Sequence, residues 1–192
     1  MSRDPGCRLA DVLPWVVELH RGQTRKGGDT PYVAHLLAVC ALVLEYGGDE
    51  TQAVAALLHD AVEDAGGDTV RAAIRERCGE AVLAIVEGCT DADTVPKPPW
   101  RERKERFLVR LAGAPPEVKL VVAADKLHNA VCTLRDLREH GPSVWGRFRG
   151  GRDGTLWYYA EAVRALGTGW THPILDEVAR VTAALDAAGR AA

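Results

Sequence analysis

The 192-residue sequence predicts an all-α fold, and three features carry that reading. Apolar residues recur at three- and four-residue spacings through most of the chain, the repeat of a helix with one buried face. Turn-bounded, alternating runs of β-branched residues, which a sheet needs, are missing. The breaks between periodic stretches are Gly pairs and Pro clusters of the kind that end helices. No segment repeats at a fixed period.

The elements follow in order. Residues 9–21 set Leu9, Val12, Leu13, Val16, Val17 and Leu19 on a helical repeat. Thr30 followed by Pro31 reads as an N-cap with proline at the first helical position. The helix it opens carries Leu36, Leu37, Val39, Leu42 and Val43 and stops near Gly47-Gly48. Asp49 caps a helix that carries His59-Asp60 and breaks at Gly66-Gly67. Asp68 starts another, and Gly79 divides it into two short pieces ending near Gly88. Pro96, Pro98 and Pro99 mark a loop before helical spacing resumes over 100–111. Pro115-Pro116 open a long helix through Asp125 to about Glu139, and the Gly/Arg-rich stretch 146–154 reads as a loop. Helices over about 155–166 and 173–188 close the chain, with 188–192 frayed. The last is Ala-rich and amphipathic, suited to pack on the body or on a partner.

Bulk properties exclude several classes. The length fits one domain of 1–192, and 47% hydrophobic residues suffice for a substantial core. A net charge of −3 gives no global pull toward nucleic acid or an anionic membrane surface. No run approaches the roughly 18 apolar residues of a membrane span. The first twenty residues are too acidic and interrupted for a signal peptide. The five cysteines (Cys7, Cys40, Cys78, Cys89 and Cys132) are odd in number, scattered and without Cys-x-x-Cys spacing. That argues against a disulfide framework or a cysteine zinc site, and for small buried hydrophobes in a reducing cytoplasm.

Chemistry concentrates in Leu57-Leu58-His59-Asp60-Ala61-Val62-Glu63-Asp64. On an unbroken helix, residues four apart share a face, so His59 stacks with Glu63 and Asp60 with Asp64. Four polar groups on one side of a buried helix are costly unless something compensates them. A divalent cation does, because it needs imidazole and carboxylate ligands together. His35 and Asp125 are lone polar residues in two other apolar stretches. Each alone reads as a satisfied core residue; with His59-Asp60 they make two imidazoles and two carboxylates from three helices. The donor set suits Mn²⁺, Fe²⁺, Mg²⁺ or Zn²⁺ with positions left for water and substrate. Of the remaining histidines, His20 and His140 sit near helix ends and are expected to be solvated, and His172 precedes Pro173 at a helix start. His128, three residues past Asp125, is open to either a supporting or a packing role.

The order His35, His59-Asp60, Asp125 resembles the HD superfamily of metal-dependent phosphohydrolases. The likeness goes further. The segments Arg25-Lys26-Gly27-Gly28-Asp29-Thr30-Pro31-Tyr32-Val33-Ala34-His35, Leu57-Leu58-His59-Asp60-Ala61-Val62-Glu63-Asp64 and Ala124-Asp125-Lys126-Leu127-His128-Asn129 resemble the hydrolase domain of the RelA/SpoT family. They are most similar to its free-standing small alarmone hydrolases, over roughly residues 10–165. The resemblance implies a single HD-type helical bundle with a mononuclear site. It implies hydrolysis of guanosine tetra- and pentaphosphate, (p)ppGpp, with release of the 3′-pyrophosphate and with Mn²⁺ as cofactor. It makes His35, His59, Asp60 and Asp125 the metal ligands, and Glu63 and Asp64 the pair that positions and deprotonates water. It sets Arg25, Lys26, Lys104 and Asn129 against the nucleotide. No histidine lies between Asp60 and Asp125, whereas dinuclear HD enzymes supply further histidines there, so one ion is expected.

Two adjacent carboxylates make such a pocket negative, so a polyphosphate needs cations at its rim. Arg21, Arg25 and Lys26 form one basic cluster; Lys97, Arg101, Arg103, Lys104, Arg106 and Arg110 form another, most of it readable as a solvated helix face. Trp157, Tyr158 and Tyr159 lie where the family carries pocket aromatics, but that spacing is more often core. Two positions and one stretch depart from the family pattern. Leu36 follows the first histidine where proline is usual, Val131 stands where an arginine is common, and 140–154, with Trp145, Arg147, Arg149 and Arg152, lacks a counterpart and is expected to act as a lid or rim. Val131 and the 140–154 stretch favour, as an alternative, another phosphorylated nucleotide such as NADPH; a non-catalytic nucleotide sensor is a further one. The resemblance implies a small-molecule nucleotide partner, no nucleic acid and no membrane, and leaves homo-oligomerisation open. The chain ends where bifunctional relatives begin a synthetase domain, so degradation without synthesis is expected.

Overall fold

The computed structural model describes residues 7–92, 96 and 98–191. Within them the fold is helical; the one β-type pairing is an isolated antiparallel bridge between Thr24 and Pro31. The described residues divide after position 97 into two compact units, one from Met1–Lys97 and one from Pro98–Ala192. Lys97, expected in the second basic cluster, lies outside the described residues.

The first unit contains α1 (Leu9–Leu19), α2 (Val33–Glu45), α3 (Glu50–Leu58), α4 (Ala61–Asp64) and α5 (Gly67–Cys89). Helix α3 packs against α1, α2 and α5, so its apolar residues 53–58 are all buried. Leu36, Val39, Leu57, Leu58, Ile74 and Leu83 fill the core around it. Asp49 caps α3, as expected, and the structure adds Gln52, whose side chain returns to the Asp49 backbone to close a full capping box. In α5, Gly79 takes φ 81°, a left-handed conformation that strains any side chain-bearing residue, and the helix kinks there.

Two boundaries in this unit differ from expectation. Helix α2 begins at Val33, not Pro31. Arg25 N–H donates to Thr30 O (2.9 Å) and Tyr32 N–H to Gln23 O (2.9 Å), so residues 23–32 close as a loop and hold Thr30-Pro31 out of the helix. The helix carrying His59-Asp60 is also not continuous: α3 ends at Leu58, and α4 starts at Ala61. Asp64 N–H still donates to Asp60 O (2.9 Å), so Asp64 remains one turn beyond Asp60, but the shared face of an unbroken helix does not exist. Cys7 and Cys78 form a disulfide bond, which the odd, scattered cysteine set argued against. Cys40 is a buried thiol whose pKa is raised by burial.

The second unit contains α6 (Trp100–Ala112), α7 (Pro116–His140), a 3₁₀ segment (Gly141–Arg147), α8 (Gly151–Leu166) and α9 (Pro173–Ala191). The C-terminal helix packs on α7 and α8 through Ile174, Val178, Val181 and Leu185, and it continues to Ala191, past the point where fraying was expected. The side chain of Lys119, 3% exposed, donates to Ala112 O (3.0 Å) and Thr168 O (2.5 Å), binding the carbonyl at the end of α6 and one just past α8 to the start of α7. Burial lowers its pKa.

The stretch expected as a loop is instead ordered. Trp145 is buried, Arg147 Nη1 donates to Asp136 Oδ2 (3.0 Å), and α8 starts at Gly151. Gly150 lets the backbone approach Trp100 so closely that a Cβ there would stand 2.7 Å from Trp100 Cη2. Residues 141–151 are thus anchored within the unit by Trp145 and Arg147, which does not fit a free lid and leaves the rim of the two alternatives.

Candidate metal centre

In the first unit, His35 lies in the first turn of α2 and His59 at the C-terminal end of α3. Both are almost fully buried, at 1% and 3% exposure, and their rings meet edge to face with centroids 5.3 Å apart. Asp60 is the next residue in the chain. Its Oδ2 lies 3.0 Å from His59 Nε2 and 3.7 Å from His35 Nε2, and it accepts a hydrogen bond from the Tyr32 hydroxyl at 2.6 Å. One carboxylate oxygen is therefore the meeting point of two imidazole nitrogens and a phenol.

The protonation of His59 can be deduced. His59 Nδ1 lies 2.8 Å from Ala56 O, and a carbonyl only accepts, so Nδ1 carries the proton. In the neutral ring, Nε2 then offers a lone pair toward the lone pairs of Asp60 Oδ2. Two such atoms 3.0 Å apart repel each other unless a cation or a second proton lies with them. Ligands about 2.1 Å from one ion, roughly at right angles to each other, stand about 3 Å apart. The donor types, the separation and the backbone bond that fixes the His59 tautomer all fit a divalent cation.

Glu63 and Asp64 form the end of α4, one turn beyond Asp60; Glu63 is half-buried and Asp64 exposed. Asp64 O accepts from Gln23 Nε2 at 3.3 Å. Arg25 and Lys26 lie in the 20–32 loop. The Arg25 guanidinium carbon is 5.6 Å from the centroid of the Tyr32 ring, while Lys26 is exposed. Arg21 is engaged by Glu18 on the surface (2.9 Å).

In the second unit, Asp125 sits mid-way along α7 and is 8% exposed. Its Oδ2 accepts from Lys126 Nζ (2.6 Å) and its Oδ1 from the Asn129 side-chain amide, one turn on. Burial works to lower the pKa of Lys126, but the Asp125 carboxylate outweighs it and holds the ammonium well above its ordinary value. Lys104, on α6, and Lys126 both approach the Tyr158 ring, at 4.5 and 5.3 Å from its centroid. The phenol of the buried Tyr159 is pushed up by burial. The expected solvated face of α6 is present: Arg101 pairs with Glu105 and Arg106 with Glu102, whereas Arg103 is buried. His128 lies beside Cys132, with Nε2 3.6 Å from the sulfur.

His20 corrects the sequence reading. It was expected to be solvated but is 3% exposed, with its ring stacked on Tyr32 (centroids 5.4 Å apart, planes 23° apart) and Nδ1 2.7 Å from Gln23 Oε1. Sequence reasoning also left out Tyr32 and Lys126 as site residues. The signal for Tyr32 was its place three residues before His35, close to one helical turn. His140 is exposed as expected, and His172 accepts from Ile174 N–H at the start of α9 (3.4 Å).

A family model described as an HD domain matches residues 13–156. The chain is 33% identical over 152 residues to the guanosine-3′,5′-bis(diphosphate) 3′-pyrophosphohydrolase MESH1 of Drosophila melanogaster, covering 78% of this chain and 80% of that protein. It is 40% identical over 111 residues, 57% of its length, to a probable GTP pyrophosphokinase of Mycobacterium leprae (strain TN), of which it spans 14%. It spans 16–17% of other curated relatives from Streptomyces coelicolor and Aquifex aeolicus, so it corresponds to a small part of those longer proteins. Among solved structures it is similar to a metazoan ortholog of SpoT described as hydrolysing ppGpp and playing a role in starvation responses. That match has a TM-score of 0.74 at 29% identity, covering 94% of this chain and 96% of the other.

Proposed function

This chain belongs to the HD-domain family, and from that premise we propose that it is a metal-dependent hydrolase that removes the 3′-pyrophosphate of (p)ppGpp. The observation that carries the reading is the convergence of His35 Nε2, His59 Nε2 and the Tyr32 hydroxyl on one oxygen of Asp60. Support also comes from the relatives of similar length, which are named for this hydrolysis.

In this reading the chain forms one HD hydrolase domain, since the family match runs across both compact units. His35, His59, Asp60 and Asp125 hold a single ion, Mn²⁺. When bound, a divalent ion supplies Lewis acidity, which lowers the pKa of water and draws charge from a phosphoryl oxygen. Glu63 and Asp64, anionic and one turn from Asp60, orient the attacking water and take its proton. The Tyr32 hydroxyl fixes the Asp60 carboxylate, and the Ala56 carbonyl keeps His59 Nε2 free of its proton. Lys104 and Lys26 offset the charge of the phosphates. The planar guanidinium of Arg25 stacks on the base, and Asn129 holds both Asp125 and the nucleotide. The enzyme works on a diffusible nucleotide in the cytoplasm. No helix among the described residues is long and apolar enough to cross a membrane.

Purified protein with Mn²⁺ and ppGpp should release pyrophosphate, and Asp64→Ala should abolish release while keeping the helical circular dichroism of the wild type. Full activity in Asp64→Ala overturns the assignment of the base. Phosphate release from NADPH with no pyrophosphate from ppGpp overturns the substrate.

A further inference from the structure

The loop between α1 and α2 contains two residues that no part of the proposed reaction uses, yet both are tied to it. His20 is buried beneath Tyr32, its ring stacked on the phenol ring at an interplanar angle of 23°. Its Nδ1 meets Gln23 Oε1 at 2.7 Å. The other end of the Gln23 amide reaches Asp64 O at 3.3 Å, 41 residues away in the chain.

The direction of each bond follows from the groups that only accept. Asp64 O is a carbonyl, so the Gln23 NH₂ donates to it. The remaining Gln23 atom is then the carbonyl oxygen, so His20 Nδ1 must donate. In the neutral ring Nε2 is left as an acceptor, and it finds no hydrogen-bond partner among the described residues. The ring is therefore held by one hydrogen bond and one stack, and these two contacts lead to different places. Through Gln23, His20 reaches the backbone of Asp64. Through the stack it supports Tyr32, whose hydroxyl holds Asp60 Oδ2 at 2.6 Å. The backbone reinforces the arrangement, since Gln23 N–H donates to His20 O (3.0 Å) and Tyr32 N–H to Gln23 O (2.9 Å).

We propose that His20 and Gln23 are positioning residues that hold two carboxylate-bearing residues in register, Asp60 through the Tyr32 ring and Asp64 through its backbone carbonyl. The proposal rests on the reading of Asp60 as a metal ligand and Asp64 as a base. Its two arms separate experimentally. His20→Leu removes the flat ring beneath Tyr32; His20→Phe keeps a ring there but cannot donate to Gln23. Gln23→Met keeps length and shape and loses both hydrogen bonds.

Groups that orient metal ligands are typically worth 10–100-fold in metal affinity or activity. In a titration with Mn²⁺ alone, followed by electron paramagnetic resonance, His20→Leu should weaken binding about tenfold, while His20→Phe should bind as wild type. In turnover of ppGpp, His20→Phe and Gln23→Met should each lower kcat about tenfold with KM within about twofold, and the double variant should be no worse than either single. A purely structural role would give additive losses that follow the thermal midpoint. Wild-type Mn²⁺ affinity in folded His20→Leu overturns the Asp60 arm. Unchanged kcat in Gln23→Met overturns the Asp64 arm, and that measurement stands even if His20→Leu does not fold. A wild-type protein with no turnover of ppGpp overturns the proposed function instead, and the Mn²⁺ titration then decides this proposal alone.

Discussion

Replacing Tyr32 by Phe removes one hydroxyl and leaves the ring that stacks on His20 and meets His35 edge-on at 5.6 Å. The atom lost donates to Asp60 Oδ2 at 2.6 Å, a short bond to a charged acceptor. Such bonds contribute about 1.5–3 kcal/mol. The Asp60 side chain is 24% exposed, so water replaces part of what is lost and the lower figure applies. If the hydroxyl aims Asp60 Oδ2 at the cation, about 1.5 kcal/mol appears as a roughly tenfold weaker Kd for Mn²⁺. Isothermal titration of the apoprotein with MnCl₂ at fixed pH reads this directly, with the thermal midpoint in EDTA measured beside it. A Kd within twofold of wild type would refute the argument that the phenol sets the carboxylate. A large fall in the midpoint without metal would show that the hydroxyl serves the fold instead.

Other consequences are open to simple measurements. Lys119→Met strands two carbonyls that the ammonium now satisfies, and should destabilise the protein by about 2–4 kcal/mol, lowering Tm by roughly 5–15 °C; an unchanged denaturation midpoint would contradict that role. Gly150→Ala forces a methyl against the Trp100 ring and should cost about 1–3 kcal/mol with a shift in tryptophan emission; wild-type emission and stability would show that the ring yields freely. Mn²⁺ affinity should fall as the solution is acidified, because His35 and His59 must bind the ion as neutral rings and release protons to do so. An affinity independent of pH would remove imidazole from the ligand set. His59→Ala takes away a buried imidazole next to Asp60, and no Mn²⁺ should bind at concentrations that saturate the wild type.

Local signals in the chain decide local structure. The cap by Asp49 is legible because its hydrogen bond spans only three residues. The kink at Gly79 is legible because only glycine takes that backbone conformation without strain. The helical character of nearly every segment is legible because burial on one face imposes a period of 3.6 residues. The residue types proposed as metal ligands, two histidines and two aspartates in apolar stretches, are likewise visible in the sequence, since buried polar groups demand a partner whatever the fold.

What only the tertiary structure decided depends on groups far apart in sequence. Nothing local in Leu58-His59-Asp60-Ala61 contains a helix breaker, yet the helix stops there. Thr30-Pro31 has the residues of a helix start, but its backbone is taken by Arg25 and its bridge to Thr24. The Gly-rich 146–154 stretch reads as loop until Trp100, some fifty positions earlier, packs against Gly150. His20 lies at a helix end that the chain alone would leave in water, and Tyr32 covers it. Cys7 and Cys78, 71 residues apart, meet only in the folded chain. Periodicity and capping are set by hydrogen bonds and burial within one or two turns and so are written in neighbouring residues; the closure of a loop, the burial of a ring and the aim of a carboxylate are set by side chains that sequence order does not bring together.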